Sequence, residues 1–222
     1  MKKIRRFFLK LFLVLIIIVS LIMLCIFGSC YLKKEKLYKI ESISQKINNI
    51  ENNNSYIKLD SVSDNFKNAI VAIEDHRFYN HSGFDLISFS RAFFVNLKTK
   101  EFSQGGSTIT QQLAKRLYLT ADKNIFRKIT ELLIAFDLEK FLEKDKILEL
   151  YINSIYYGNS STGIYNASLN YFNKPPNNLT DNEAAFLAGL PQAPSIYSKN
   201  KDLAEKRKKE VLDAVAKYNN KK

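Results

Sequence analysis

Cysteine, histidine, proline and glycine are all scarce in this chain of 222 residues, which holds two Cys, two His, four Pro and seven Gly. Both cysteines, Cys25 and Cys30, fall in an apolar N-terminal segment. The rest of the chain has no thiol pair to cross-link and no Cys/His spacing for structural zinc, which excludes a disulfide framework and a zinc module. Beyond the first thirty residues about 190 remain, enough for one sizeable core without staples. His76 and His81 sit in one loop, where a pair of histidines is more often structural than metal-binding. Little of the sequence alternates with strand periodicity, so the fold class expected is mainly α.

Acidic charge is also short, giving a net charge of +12. Residues 1–10 contribute +5 and residues 199–222 another +5, leaving +2 for the long central stretch. A nucleic-acid-binding domain would carry its positive charge on the folded body. Basic ends suit an anionic membrane surface better, and no nucleic-acid partner is expected.

What is present begins with Lys2, Lys3, Arg5, Arg6 and Lys10, followed by an almost wholly apolar run from Leu11 to Phe27. That run is about the minimum for crossing a bilayer, and its flanks extend it. A cleaved signal peptide is the competing reading, but the small-x-small cleavage site is poorly formed. The basic cluster would hold the N-terminus in the cytoplasm and place the domain outside a plasma membrane crossed once. Three segments follow from this reading. They are a basic tail and transmembrane anchor over 1–32, a polar stalk over 33–59, and a folded domain over 60–222.

Ser63 caps an expected helix in which Phe66, Ala69, Ile70 and Ile73 recur at helical spacing. It should end near Asp75 to Phe78, leaving Glu74 in its last turn, where the helix dipole raises a carboxylate's proton affinity. By itself Glu74 reads as an ordinary surface residue. Leu86 to Lys98 is a second helix, with Ile87, Ala92, Phe93 and Phe94 as packing residues. The turn Gln104-Gly105-Gly106 precedes a cap at Ser107 or Thr108 and a helix over Ile109 to Leu119. In the helix Asp122 to Leu142, one apolar stripe holds Ile125, Ile129, Leu132, Leu133 and Phe136. Ile134, Ala135, Leu138 and Leu142 form another, so the helix is expected to be buried. Arg127 and Glu131 lie along that second side, where a buried charge needs a partner or a ligand. Further helices are expected over Lys144 to Tyr157, Ile164 to Phe172, Asn182 to Leu190 and Leu203 to Tyr218.

Five stretches occur in order. They are Glu74-Asp75 through Asp85, Gly105 through Gln112, Arg127-Lys128-x-x-Glu131, Lys146 through Asn153, and Glu183 through Ser195. Together they resemble the peptidoglycan glycosyltransferase family, glycosyltransferase family 51, the lysozyme-like domain of bifunctional penicillin-binding proteins and of monofunctional transglycosylases. The resemblance implies a cleft between two helical lobes and a glycan-strand polymerase of cell-wall biosynthesis. It would move the growing glycan from undecaprenyl pyrophosphate to the 4-hydroxyl of lipid II, with inversion. Glu74 would be the general base, and Lys115, Arg127 and Lys128 would receive the diphosphate, with Glu131 orienting them or stabilising that site. Ser107, Thr108, Gln111 and Gln112 would line the donor cleft, with Gly106, Lys123 and Asn153 as further binding positions. A divalent cation, Mg or Mn, at the pyrophosphate is compatible with the family, and no other cofactor is implied. Partners implied are lipid II, lipid-linked glycan, the plasma membrane, and other cell-wall synthesis or division proteins. No transpeptidase machinery is expected after the fifth motif, which suits the monofunctional, anchored form.

Two positions depart from the family pattern. Lys123 stands where many members carry Arg, which keeps the charge and loses the guanidinium fork. Tyr165-Asn166 stands where the usual Gly-Ile-Glu-Ala-Ala-Ala run has a carboxylate. Two other readings use the same features. A lysozyme-like hydrolase would use two carboxylates but has no need of the cation cluster or an anchor. A non-catalytic scaffold would only bind lipid-linked precursor.

Overall fold

A computed structural model describes residues 2–99, 105–120, 122 and 124–220. Eleven α-helices are present among them: α1 (Lys2–Ile40), α2 (Ile43–Glu51), α3 (Asp64–Glu74), α4 (Leu86–Thr99), α5 (Ile109–Tyr118), α6 (Ile125–Phe141), α7 (Lys144–Ser154), α8 (Ile164–Phe172), α9 (Asp181–Gly189), α10 (Pro194–Tyr197) and α11 (Lys201–Asn219). No strand forms among the described residues; two isolated bridges, Ser82 with Phe84 and Tyr156 with Thr162, pin loops.

Short polar residues start the helices where the sequence places them. Ser63 Oγ accepts from the Phe66 N–H at the head of α3, and Asn124 and Asn200 do the same for α6 and α11. Thr108 and Gln111, and likewise Thr180 and Glu183, form capping boxes on α5 and α9. Each such cap satisfies orphan N–H groups and contributes about 1 kcal/mol.

Two helix groups share the core. α3 packs on α9 and α11, and α5 packs on α6 and α7. Phe66, Phe78, Ile109, Leu113, Ile134, Leu138, Tyr151 and Tyr157 are fully buried there. Burying a large apolar side chain contributes roughly 1.5–3 kcal/mol, so this cluster supplies much of the rigidity beneath the site.

Three expectations are corrected. Residues 33–59 do not stand free as a stalk. Leu37, Tyr38, Ile43, Ile47, Ile50, Ile57 and Leu59 pack against the core, and Glu149 accepts from Leu59 N–H at 2.8 Å. In α4 only Ala92 is buried; Ile87, Phe93 and Phe94 are 59%, 56% and 66% exposed. In α6 only the side with Ile134, Ala135 and Leu138 is buried, while Ile125, Phe126, Phe136 and Phe141 remain exposed.

α1 is one helix of 39 residues, and its most apolar 18-residue window has mean hydropathy 3.3 with nothing buried. It is long and apolar enough to cross a membrane. Its last turns dock on α6, where Asp137 accepts from Lys34 Nζ at 2.7 Å and from Tyr38 Oη at 3.0 Å.

Candidate active site

Glu74 is the last residue of α3, and Asp75 caps its C-terminal end. The loop that follows is held from three sides. Asp75 accepts from His81 Nε2 at 3.0 Å and from the Ile109 N–H at 3.0 Å. Asp85 accepts from Arg77 and from Ser88, and its Oδ1 takes the N–H of Ile87 at the start of α4. Gly83, with φ +77°, donates its N–H to Glu139 of α6 and accepts from Thr108 Oγ1 at 2.7 Å. A β-carbon at Gly83 would stand 3.3 Å from the Ala135 backbone, so both the left-handed geometry and the close approach call for glycine.

Below this loop opens a cavity of about 550 Å³. Glu74, Asp75, Gly106, Ser107 and Thr108 line one side, and Gln192, Arg207 and Lys217 line the other. The Glu74 carboxylate accepts from Gln112 Nε2 at 2.7 Å. Gln112 is itself fixed, because its Oε1 accepts from the buried Tyr151 hydroxyl at 3.0 Å. This chain of three side chains points the Glu74 oxygen rather than leaving it to wander. Burial raises the Glu74 pKa above the ordinary glutamate range, and the charge of Asp75 adds to it. The Gln112 hydrogen bond and the Arg207 charge oppose the rise without cancelling it. Burial is the largest of these causes.

The second carboxylate, Glu131, does not line this cavity. It is 2% exposed on α6 and takes Arg127 Nη1 at 2.8 Å on one oxygen and Lys128 Nζ on the other. Lys128 also donates to Ser107 Oγ at 2.8 Å, and Ser107 is a cavity residue. The cation pair therefore adjoins the cavity through Ser107. Arg127 Nε is buried and makes no hydrogen bond among the described residues. One carboxylate against two cations leaves an excess positive charge beside the cleft, as an anion would require.

Other expected positions fall elsewhere. Gln111 is 1% exposed, and its side chain closes the α5 capping box instead of facing the cleft. Asn153 is a structural clamp: its amide accepts from the Ile57 N–H at 3.0 Å and donates to the Ile57 carbonyl at 2.8 Å. It pairs with an extended segment as a neighbouring strand would, which uses both ends of the amide. Lys115 is exposed on α5 and makes no ion pair among the described residues. Lys123 lies outside the described residues. Arg207 was hidden in a charged terminal helix; only its seat on Gly189, where a β-carbon would meet its side chain at 2.9 Å, marks it out.

Asp75, His81 and Asp85 have ligand-type atoms within 4.8 Å of one another. Their oxygens are already engaged by backbone and side-chain donors, and the three read as loop scaffolding. Glu131 is likewise engaged by two cations, one on each carboxylate oxygen.

The fold is mainly helical, with a carboxylate-bearing cleft and one apolar N-terminal helix long enough to cross a membrane. The family described as Transglycosylase matches residues 41–216, and the chain belongs to that family. Penicillin-binding protein 1A of Neisseria lactamica is 44% identical over 165 residues, covering 73% of this chain and 21% of that protein. Penicillin-binding protein 1F of Bacillus subtilis (strain 168) is 44% identical over 146 residues, covering 66% of this chain and 20% of that protein. The chain thus spans about a fifth of the length of these curated relatives.

Proposed function

We propose that the chain polymerises peptidoglycan glycan strands, with lipid II as the incoming substrate and a lipid-diphosphate-linked glycan as donor. The observation that carries this reading is the Glu74 carboxylate, desolvated at the cavity wall and aimed by Gln112. A carboxylate of raised proton affinity is matched to removing a proton near neutral pH.

In this reading Glu74 takes the proton of the 4-hydroxyl of lipid II as that oxygen bonds to the donor's anomeric carbon. The bond from that carbon to the diphosphate oxygen breaks on the opposite face, which turns an α-linkage into a β-linkage. The electron pair leaves with the diphosphate. Arg127 and Lys128, held apart and oriented by Glu131, receive the negative charge that develops there. Lys115 lies farther along α5 as an exposed cation for the same lipid diphosphate.

Membrane geometry supports the same conclusion. In this reading α1, which is long and apolar enough to span, crosses the bilayer once with its N-terminus in the cytoplasm, and α4 turns its exposed Phe89, Phe93, Phe94 and Leu97 to the lipid surface. The domain then meets a substrate whose tail never leaves the lipid.

Incubating the full chain with lipid II and, separately, with finished uncrosslinked glycan tests the assignment. Long glycan from lipid II alone is the expected outcome. Soluble fragments from the finished glycan, with no polymer from lipid II, would reassign the chain as a hydrolase.

A further inference from the structure

A second cavity, of about 540 Å³, opens between α8, α9 and α11 and is not explained by the chemistry above. Its size lies within the range of ligand-binding clefts. Tyr171, Phe172 and Phe186 form its aromatic wall, with ring centroids 5.6–6.4 Å apart, and Tyr197 faces them. The acids on its rim are neutralised, since Lys174 pairs with Glu183 at 2.7 Å and Lys208 pairs with Glu205. Lys199 and Lys201 are exposed on the rim and make no ion pair among the described residues.

This cavity abuts the one that holds Glu74. Tyr197 Oη donates to Gln192 Oε1 at 2.9 Å; Tyr197 lines the second cavity and Gln192 the first. Their neighbours on α11 divide the same way, Arg207 facing the first and Lys208 the second.

We propose that the second cavity is a holding subsite for a carboxylate-bearing saccharide, the glycan strand itself, as it passes the Gln192–Tyr197 boundary. The inference rests on the polymerase reading. Aromatic faces are electron-rich and pack against the polarised C–H edges of a sugar ring. Two unpaired lysines beside them select sugars whose substituents carry carboxylates over neutral ones.

Binding of lipid-free, muramidase-released glycan–peptide fragments to the detergent-solubilised full chain tests this without requiring polymerisation. The wild type should bind these fragments more tightly than neutral chitooligosaccharides of equal length. Lys199→Glu with Lys201→Glu should weaken the acidic fragments by about tenfold, the scale of two exposed charges. Phe186→Ala should weaken both ligand classes. Unchanged affinity in both variants, or no fragment binding by the wild type, would overturn the subsite. Loss of binding in the variants of a chain that makes no polymer from lipid II would uphold the subsite and remove the polymerase reading. Polymer formation with unchanged fragment binding would do the reverse.

Discussion

In the proposed reaction Glu74 has to release its proton to serve as a base, yet its burial favours keeping it. Gln112 and Arg207 work against that burial, and so they set how far into acid the site remains active. Gln112→Leu removes a hydrogen bond to the ionised form and should move the acidic limb of kcat/KM to higher pH, read from a pH–rate profile on lipid II. The same raised pKa has a sign for stability. Folding is favoured with Glu74 protonated, a contribution present below the unfolded-state value and lost as pH rises through the folded-state value. Glu74→Gln should therefore raise the thermal midpoint at neutral pH, with the gain vanishing in acid. A midpoint that falls at neutral pH would place the ionised carboxylate in a stabilising role instead. The helix that ends at Glu74 was legible from its cap and apolar spacing, while the role proposed for Glu74 came from the resemblance. Arg207 was not, because a run of Lys, Arg and Glu does not say which face of a helix meets a neighbour.

α6 joins three things that lie far apart in sequence. Its first turns carry Arg127, Lys128 and Glu131, its middle holds Asp137 against α1, and Glu139 fixes the loop at Gly83. Removing the Glu131 charge leaves Arg127 and Lys128 facing each other. Glu131→Gln should cost on the order of 2 kcal/mol, below a fully buried pair because Lys128 is partly exposed. Denaturant unfolding measures that loss. Asn153→Ala separates clamp from binding residue: it should cost about 1–3 kcal/mol through the unpaired Ile57 backbone and leave KM for lipid II in place. A raised KM with unaltered stability would restore Asn153 to the cleft. Local signals explain what sequence showed of these elements. Ser63 with Phe66, Ala69 and Ile70 defines α3 within eight residues, whereas Asn153 and Ile57 are 96 residues apart. Helical periodicity also marks an apolar face without naming its solvent, which is why the α4 stripe reads as packing when it is exposed.

The N-terminal helix, the loop at Gly83 and the cleft form one continuous assembly through α6. α1 docks through Lys34, Tyr38 and Asp137, and residues 43–59 strap across the core toward α7. If the α4 face meets lipid, replacing Phe93 and Phe94 with Ser should slow turnover of vesicle-embedded lipid II about tenfold. A short-tailed soluble analogue should be affected much less. Equal losses on both substrates would place those rings in the fold or the chemistry. The mainly helical body was legible from capping residues and apolar spacing; its lysozyme-like character was implied only by the resemblance, with which the family match over residues 41–216 agrees. The packed strap was not legible, since its Asn- and Lys-rich surface hides a thin apolar stripe of Ile43, Ile47 and Ile50.

The most direct test places full-length wild type and Glu74→Gln side by side in liposomes containing lipid II and measures polymer. The wild type should build glycan strands, and the variant should build at least about a hundredfold less, the loss expected when a general base is removed. Equal polymer from both proteins would contradict the assignment of Glu74, and with it the mechanism built on this cleft.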